Sequence, residues 1–398
     1  MIRITFTGDV MCEHTRLNHF YSDGTYDFYP IFEDVVPVFK KSDYVVANLE
    51  TPLAGKDMVY TERNYSFNTP EQMAEALKKS GVDLATTANN HVLDRGIAGL
   101  ERTLDVLDQN GIAHTGSYRE HEKSQPFITD IGGVRVAFLS YTYGTEACFN
   151  NNYLTKEQYN MVNLTRNQEL SNPLKRYFLV NKGIPAKAFR LVYRTVSPKK
   201  ARMDVSERKE NDTYQIRHLI SDIQSCKDAG ADCIVMCLHC GGQFNEEPTA
   251  YTKKIVKLCL DNGVHAVVTN HEHRIQRAWF PDNRAVTYCL GNFTSDYGIY
   301  RKPMGSHAEY SALFHLYLNK SDEIISRYSV TFLKSHLNEE GVIVTSPISQ
   351  LYENCEDEKA KEELMKDNLW CLNTFFNLSA KQAPVREEYF ADEWAFKK

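Results

Sequence analysis

Between Arg3 and Thr115, short β-branched runs alternate with helical patterns, and that order leaves few folds open. Arg3–Thr7 reads as a buried strand broken by Gly8-Asp9, Tyr44–Leu49 as a second strand and Asp83–Thr87 as a third. A helix opens at Thr69-Pro70, runs to Lys79 and stops at Gly81. Ile97–Asn110 carries Ile97, Leu100, Leu104 and Leu107 at helical spacing and ends at Gly111. Ile112–Thr115 is a further strand. Such repetition implies a largely parallel sheet with covering helices. Pro126–Asp130 and Val134–Thr142, separated by Gly132-Gly133, read as a hairpin that continues that sheet.

The pattern breaks from Gly144 to Asn211. An Asn-rich stretch (Asn150, Asn151, Asn152) gives way to a segment, Leu174–Lys209, with eleven Lys and Arg against Asp204 and Glu207. It reads as an insertion or lid, with a solvated basic loop as the plain alternative. The α/β pattern then returns with a helix at Tyr214–Asp228, a strand at Asp232–Leu238, a helix at Thr249–Asp261 and strands at His265–Thr269 and Arg284–Leu290. Alternating runs at Ala312–Leu318 and Ile325–Leu333 suggest an antiparallel, peripheral hairpin. Beyond Pro347 the chain is helical and charged. The expected organisation is a core of residues 1–143 and 213–296, a basic insertion at 144–212, peripheral strands completing the core at 297–345 and a helical extension at 346–398.

A net charge of −6 argues against a general nucleic-acid binder, so no specific nucleic-acid partner is expected. No apolar run approaches the length of a membrane span, and MIRITFTGDV enters a strand without a signal-like segment. The expected location is cytoplasmic for the chain as given, and extracytoplasmic if a leader has been removed. Of ten cysteines, Cys233, Cys237, Cys259 and Cys289 lie inside apolar runs, which fits buried reduced thiols better than a disulfide framework.

Function is written at the strand ends. Asp9, Glu50, Asn90 with His91, His239, and the pair His271 and His273 of VVTNHEHR all fall just past the C-terminal ends of expected strands, the edge where α/β sheets bind ligands. In a strand, residues two apart share a side, so an H-x-H pair can converge on one ion. Each residue alone has an ordinary reading as a turn former or an exposed loop histidine. Together they make a mixed oxygen and nitrogen set that suits Mn, Fe or Zn better than Ca or Mg. A carboxylate bridging two such ions would hold them at the spacing of two-metal hydrolases, and no nucleophilic side chain would be needed.

The segments TFTGDVM, VVANLETPLAG, TTANNHVLDRGIAGLERTLDVLDQNGIAHTG, LHCGGQFNEEPTAY, TNHEHRIQ and YCLGNF resemble, in order, the CapA-type poly-γ-glutamate capsule biosynthesis proteins, a branch of the calcineurin-like metallophosphatase superfamily. The resemblance implies an α/β fold, a four-layer β-sandwich flanked by helices, carrying the basic insertion and the helical C-terminal extension. It places Asp9, Glu50 and His273 around one divalent transition metal, and Glu50, Asn90, His239 and His271 around a second. His91 matches the position that donates a proton to a leaving group or stabilises the transition state, and Asp94 would fix its tautomer.

Three departures matter. Metallophosphatases carry D-x-H where this chain has Met11 two residues after Asp9, a soft, weak ligand, with Glu13 or His14 as possible substitutes. His239-Cys240-Gly241 stands where the family commonly has H-W-G, which creates a Cys237-x-x-Cys240 pair read here as core cysteine. The membrane anchor of many relatives is missing from this sequence. The leading expectation is a metal-dependent hydrolase in which a metal-bound hydroxide attacks a phosphoester or a γ-glutamyl amide, with an anionic small molecule or polymer as substrate. The competing one is a non-catalytic, metal-holding accessory protein that grips an anionic polymer such as poly-γ-glutamate through the basic segment.

Overall fold

The computed structural model describes residues 1–63, 65–168, 213–294, 296, 307–320 and 324–394. The basic segment Leu174–Lys209 lies outside the described residues. In chain order the main elements are β1 (Ile2–Val10), β2 (Tyr44–Leu49), α1 (Gln72–Ser80), β3 (Leu84–Thr86), α2 (Gly96–Gln109), β4 (Ala113–Thr115), β5 (Phe127–Ile131) and β6 (Val134–Thr142). After the insertion come α3 (Thr213–Asp228), β7 (Cys233–His239), α4 (Ala250–Asp261), β8 (Ala266–Asn270), β9 (Ala278–Trp279), β10 (Ala285–Thr287) and β11 (Asn292–Thr294). The chain ends with β12 (Tyr310–Leu318), β13 (Ile325–Leu337), β14 (Ile343–Pro347), α5 (Ile348–Asn354), α6 (Glu358–Phe376) and β15 (Tyr389–Phe390).

These strands form two large sheets. The first runs β14-β13-β12-β1-β2-β3-β4, with β11 beside β1 and β15 beside β13; the second runs β9-β10-β8-β7-β6-β5. The expected β5–β6 hairpin exists, but it does not continue the first sheet. It opens the second, where β6 pairs in parallel with β7. Local pattern cannot distinguish these outcomes, because β6 is apolar on both faces in either sheet. The expected antiparallel β12–β13 hairpin forms, but it is not peripheral: β12 lies inside the first sheet, antiparallel to β1 from Ile2↔Leu318 to Phe6↔Phe314.

Strand periodicity sorts side chains into layers. Phe6, Val46 and Leu84 of the first sheet meet Val136, Phe138, Val235 and Val268 of the second in one core cluster, with Phe6 and Phe138 rings 6.4 Å apart. Alternate residues point outward: Val45, Ala47 and Ala85 pack under Met73, Leu77, Val106 and Leu107 of α1 and α2. On the far side Ala137, Leu139, Ile234 and Met236 pack under Leu219, Ile223, Ile255 and Val256 of α3 and α4. The result is the expected four-layer α/β/β/α sandwich. The C-terminal helix α6 joins the same core through Leu372, Phe375 and Phe376 beside Phe332 and Tyr389. No helix among the described residues is long and apolar enough to cross a membrane.

Candidate metal centre

Two sheets facing each other bring together the C-terminal ends of parallel strands from both. Asp9 ends β1, Glu50 follows β2 and Asn90 follows β3 on the first sheet, while His239 ends β7 and His271 follows β8 on the second. Tight backbone contacts fix each position. The Asp9 amide donates to Gly291 O at 2.9 Å and the Glu50 amide to Val10 O at 2.9 Å. Gly8 is required there, because a Cβ would stand 2.0 Å from the Gly291 carbonyl oxygen. Asn89 holds the next turn, its Nδ2 donating to Leu49 O at 2.7 Å and its Oδ1 accepting from the His91 amide at 3.0 Å.

The H-x-H pair converges differently from the pleat argument. β8 ends at Asn270, and both histidines lie beyond it with left-handed backbones, φ +113° at His271 and +57° at His273. Non-glycine residues rarely adopt such angles, and they cluster at functional sites. Their rings are 5.8 Å apart, and each enters a different group of polar atoms.

In the first group, His239 Nε2 lies 2.7 Å from Asn90 Oδ1, 3.1 Å from His271 Nδ1 and 3.3 Å from Glu50 Oε1. In the second, His273 Nδ1 lies 3.3 Å from Asp9 Oδ2 and 3.9 Å from Glu50 Oε2. Within the triads Glu50–His239–His271 and Asp9–Glu50–His273, candidate ligand atoms lie within 4.8 Å of one another, and every one of these residues is buried. Neighbouring ligands on an ion with bonds of about 2.0–2.2 Å stand roughly 3 Å apart, so the short edges have the right length for a shared ion. Asp9 Oδ2 and both Glu50 carboxylate oxygens are buried without a hydrogen-bond partner. Buried acceptors left this way are costly, and a divalent cation would satisfy them. The donor set fits.

The electrostatics point the same way. Burial holds the His239 pKa down at about 3, against weaker support from Asp9. Burial also drives His271 well below its ordinary value, with His239 and His273 adding to the effect, so both imidazoles are neutral and ready to donate lone pairs. Burial and then the neighbouring Asp9 push the Glu50 carboxyl well up. For Asp9 burial acts upward, but the close approach of His273, the His239 ring and the Asn48 hydrogen bond outweigh it and lower the pKa. Two buried carboxylates side by side are an arrangement that a cation stabilises.

His91 stands at the rim. Its Nδ1 is 2.8 Å from Asp94 Oδ2, its Nε2 is 4.0 Å from Glu50 Oε1, and its ring sits edge-on to Phe67 at 4.5 Å. Asp94 is itself held by the Phe67 amide at 2.6 Å and Asn150 Nδ2 at 2.6 Å. Burial works against the protonated His91, but the Asp94 charge and hydrogen bond prevail and raise its pKa.

Other residues at the site escaped the sequence reading. Asn48 Nδ2 donates to Asp9 Oδ1 at 2.7 Å, Glu146 Oε1 accepts from Asn90 Nδ2 at 3.0 Å, and Asn292 Oδ1 lies 2.9 Å from His273 Nδ1. Tyr143 packs its ring 4.7 Å from His271, and the Arg166 guanidinium lies over Tyr143. Glu146 follows the end of β6, and Asn292, which opens β11, follows the strand expected at Arg284–Leu290, so the strand-end rule applied to every strand reaches both. Met11 is buried, and among the described residues neither Glu13 nor His14 joins either group. Glu13 instead accepts from the Asp296 amide at 2.9 Å. Cys237 and Cys240 are buried thiols with no disulfide.

The profile of the family described as bacterial capsule synthesis protein PGA_cap matches residues 3–297, a span that contains every residue of both groups. The capsule biosynthesis protein CapA of Bacillus anthracis is 24% identical over 304 residues, covering 75% of this chain and 60% of that protein. The PGA biosynthesis protein CapA of Bacillus subtilis (strain 168) is 23% identical over 309 residues, covering 77% of this chain and 65% of that protein. The chain thus spans less than two thirds of the length of these relatives. Among solved structures, the sulfate thiohydrolase SoxB of Thermus thermophilus in complex with glycerol aligns with a TM-score of 0.40 at 11% identity, covering 92% of this chain and 60% of that one.

Proposed function

The chain belongs to the PGA_cap family of bacterial capsule synthesis proteins, and from that premise we propose that it is a metal-dependent hydrolase acting on a phosphoester or a γ-glutamyl amide of an anionic substrate. The observation that carries the reading is the pair of buried ligand groups sharing Glu50. Asp9, Glu50 and His273 would hold one divalent cation; Glu50, Asn90, His239 and His271 would hold the other. Mn, Fe or Zn suits this donor set and, when bound, supplies Lewis acidity and a water that ionises near neutral pH.

The chain's own residues do the rest. Glu146 turns the Asn90 amide so that its oxygen faces His239. Asp94 fixes His91 with Nδ1 toward the carboxylate, which leaves Nε2 on the side of Glu50 to deliver a proton to a departing oxygen or nitrogen. Burial of the whole group excludes bulk water and strengthens each charge interaction.

The test begins with metal analysis of the purified protein, followed by phosphodiester and γ-glutamyl substrate panels in Mn. Bound metal and turnover that disappear in Asp9→Ala and His239→Ala are expected. Absence of both metal and turnover in the parent protein removes the proposal. Poly-γ-glutamate binding that is steeply salt-dependent, indifferent to metal removal and free of cleavage would instead identify a non-catalytic polymer-binding protein.

A further inference from the structure

We infer that Asn292 is a ligand of the Asp9–Glu50–His273 metal position and fills the place left by Met11. This assignment rests on the metal-centre reading above and goes beyond the residues that the sequence nominated.

The backbone brings Asn292 into range. β11 lies parallel to β1 with Asp9 and Asn292 in register, so the two residues leave neighbouring strands at the same level of the sheet edge. Two glycines make that closeness possible. Gly8 has no room for a Cβ against the Gly291 carbonyl, and Gly291 has φ +80° and would set a Cβ 2.6 Å from Tyr310 O. A side chain at Gly8 would push β11, and Asn292 with it, away from Asp9, and one at Gly291 would collide with the start of β12.

The side-chain geometry then selects a shared point. Asn292 Oδ1 is 2.9 Å from His273 Nδ1, the nitrogen that also faces Asp9 Oδ2 at 3.3 Å and Glu50 Oε2 at 3.9 Å. Three oxygens converge on one ring nitrogen, which has at most one proton to offer. A cation among them satisfies all three and takes the nitrogen lone pair as well. Asn292 is fully buried, and its Nδ2 has no hydrogen-bond partner. Asn48 nearby has both ends engaged, Nδ2 on Asp9 and Oδ1 accepting from Thr86 Oγ1 at 3.0 Å. The Asn292 amide is thus held chiefly through its oxygen, as expected of a carboxamide kept for coordination. With it the two positions become alike: each has a carboxamide oxygen, imidazole nitrogen and a share of Glu50. A carboxamide oxygen also suits Mn or Fe better than the Met11 thioether would.

The competing role is an outer acceptor that orients His273 through a hydrogen bond. Crystals of the Mn-loaded protein, with anomalous scattering locating the ions, separate the two. Asn292 Oδ1 within about 2.0–2.4 Å of the ion beside Asp9 supports the assignment, in line with ordinary oxygen-ligand distances. An ion beside Asp9 with Oδ1 more than about 3 Å away overturns it while leaving the hydrolase proposal standing. In solution, Asn292→Ala is expected to weaken one of the two Mn sites by more than about 100-fold in equilibrium dialysis, beyond the 10–100-fold typical of an outer-shell partner. Asn292→Asp keeps an oxygen there and is expected to retain two Mn per chain, which keeps the test valid if the alanine variant fails to fold. Loss of the second Mn in Asn292→Asp, or undiminished affinity in a folded Asn292→Ala, counts against ligation. No bound Mn in the parent protein would remove both this assignment and the reading on which it rests.

Discussion

In the proposed reaction His91 stands apart from metal holding. It touches neither triad as a member, yet its Nε2 faces Glu50 and its Nδ1 is locked by Asp94. His91→Asn is therefore expected to lower kcat by roughly 10²–10⁴, the usual range for a positioned proton donor, with metal content unchanged by elemental analysis. Equal losses of metal and kcat would show that the ring is structural. His315 offers a pH probe away from the centre. It is fully buried between Thr5 Oγ1 at 2.8 Å and Thr331 Oγ1 at 3.1 Å, and burial, followed by Arg3 and Lys41, holds its pKa well below 6.5. Above pH 6.5 neither folded nor unfolded chain protonates it, so it contributes no pH dependence there. As pH falls below 6.5 the unfolded chain takes up the proton first, and stability drops by up to about 1.4 kcal/mol per pH unit until the folded pKa is reached. Urea midpoints between pH 7 and about 5 should fall less steeply in His315→Gln than in the parent, and equal slopes would refute this. At this scale the sequence was informative wherever a strand end exposed a ligand-type residue, as at Asp9, Glu50 and His239. It marked Asn292 only as one more residue past a strand end, because its place beside Asp9 depends on β11 lying beside β1 across more than 280 residues of chain.

Elements were readable in proportion to their own periodicity. α2 and α4 sit within a residue of the expected bounds because apolar spacing and clear start or stop signals mark them; Thr249 caps α4 by accepting from the Thr252 amide. The placement of the β5–β6 hairpin was not readable, since a strand with two apolar faces fits either sheet of a sandwich. Nor was the turn after β8, where the useful property of His271 and His273 is a left-handed backbone and not the alternation of a strand. The β1–β11 contact is the element most sensitive to substitution. Gly8→Ala forces a Cβ against a backbone carbonyl that has no rotamer to change, and is expected to cost roughly 3 kcal/mol, the upper end of ordinary overpacking. Urea denaturation would measure it. A change below about 0.5 kcal/mol, the range of an unremarkable surface site, would mean that β11 moves freely.

For the whole molecule the four-layer architecture followed from the resemblance, and strand and helix patterns supported its separate halves. How the halves meet is a tertiary fact. Burial makes the sandwich chemically quiet: all ten cysteines are outside disulfides, eight are buried, and only Cys148 and Cys355 are partly exposed. Burial pushes the Cys233, Cys237 and Cys259 thiols up to about 12. Thiol titration with an aromatic disulfide at pH 8 should therefore find at most two fast sites in the folded protein and ten in guanidinium. A fast third site would place an opening in the core.

Asn270 ends β8 on the second sheet, yet its Nδ2 donates to Thr7 O of β1 on the first, at 3.2 Å. The ligand groups straddle that same seam: Asp9, Glu50 and Asn90 come from one side, and His239, His271 and His273 from the other. Neither half owns a complete set of donors. Tight capture of a cation by this set would require both sheets to have formed and docked, so metal occupancy would serve as a certificate that assembly of the core is finished.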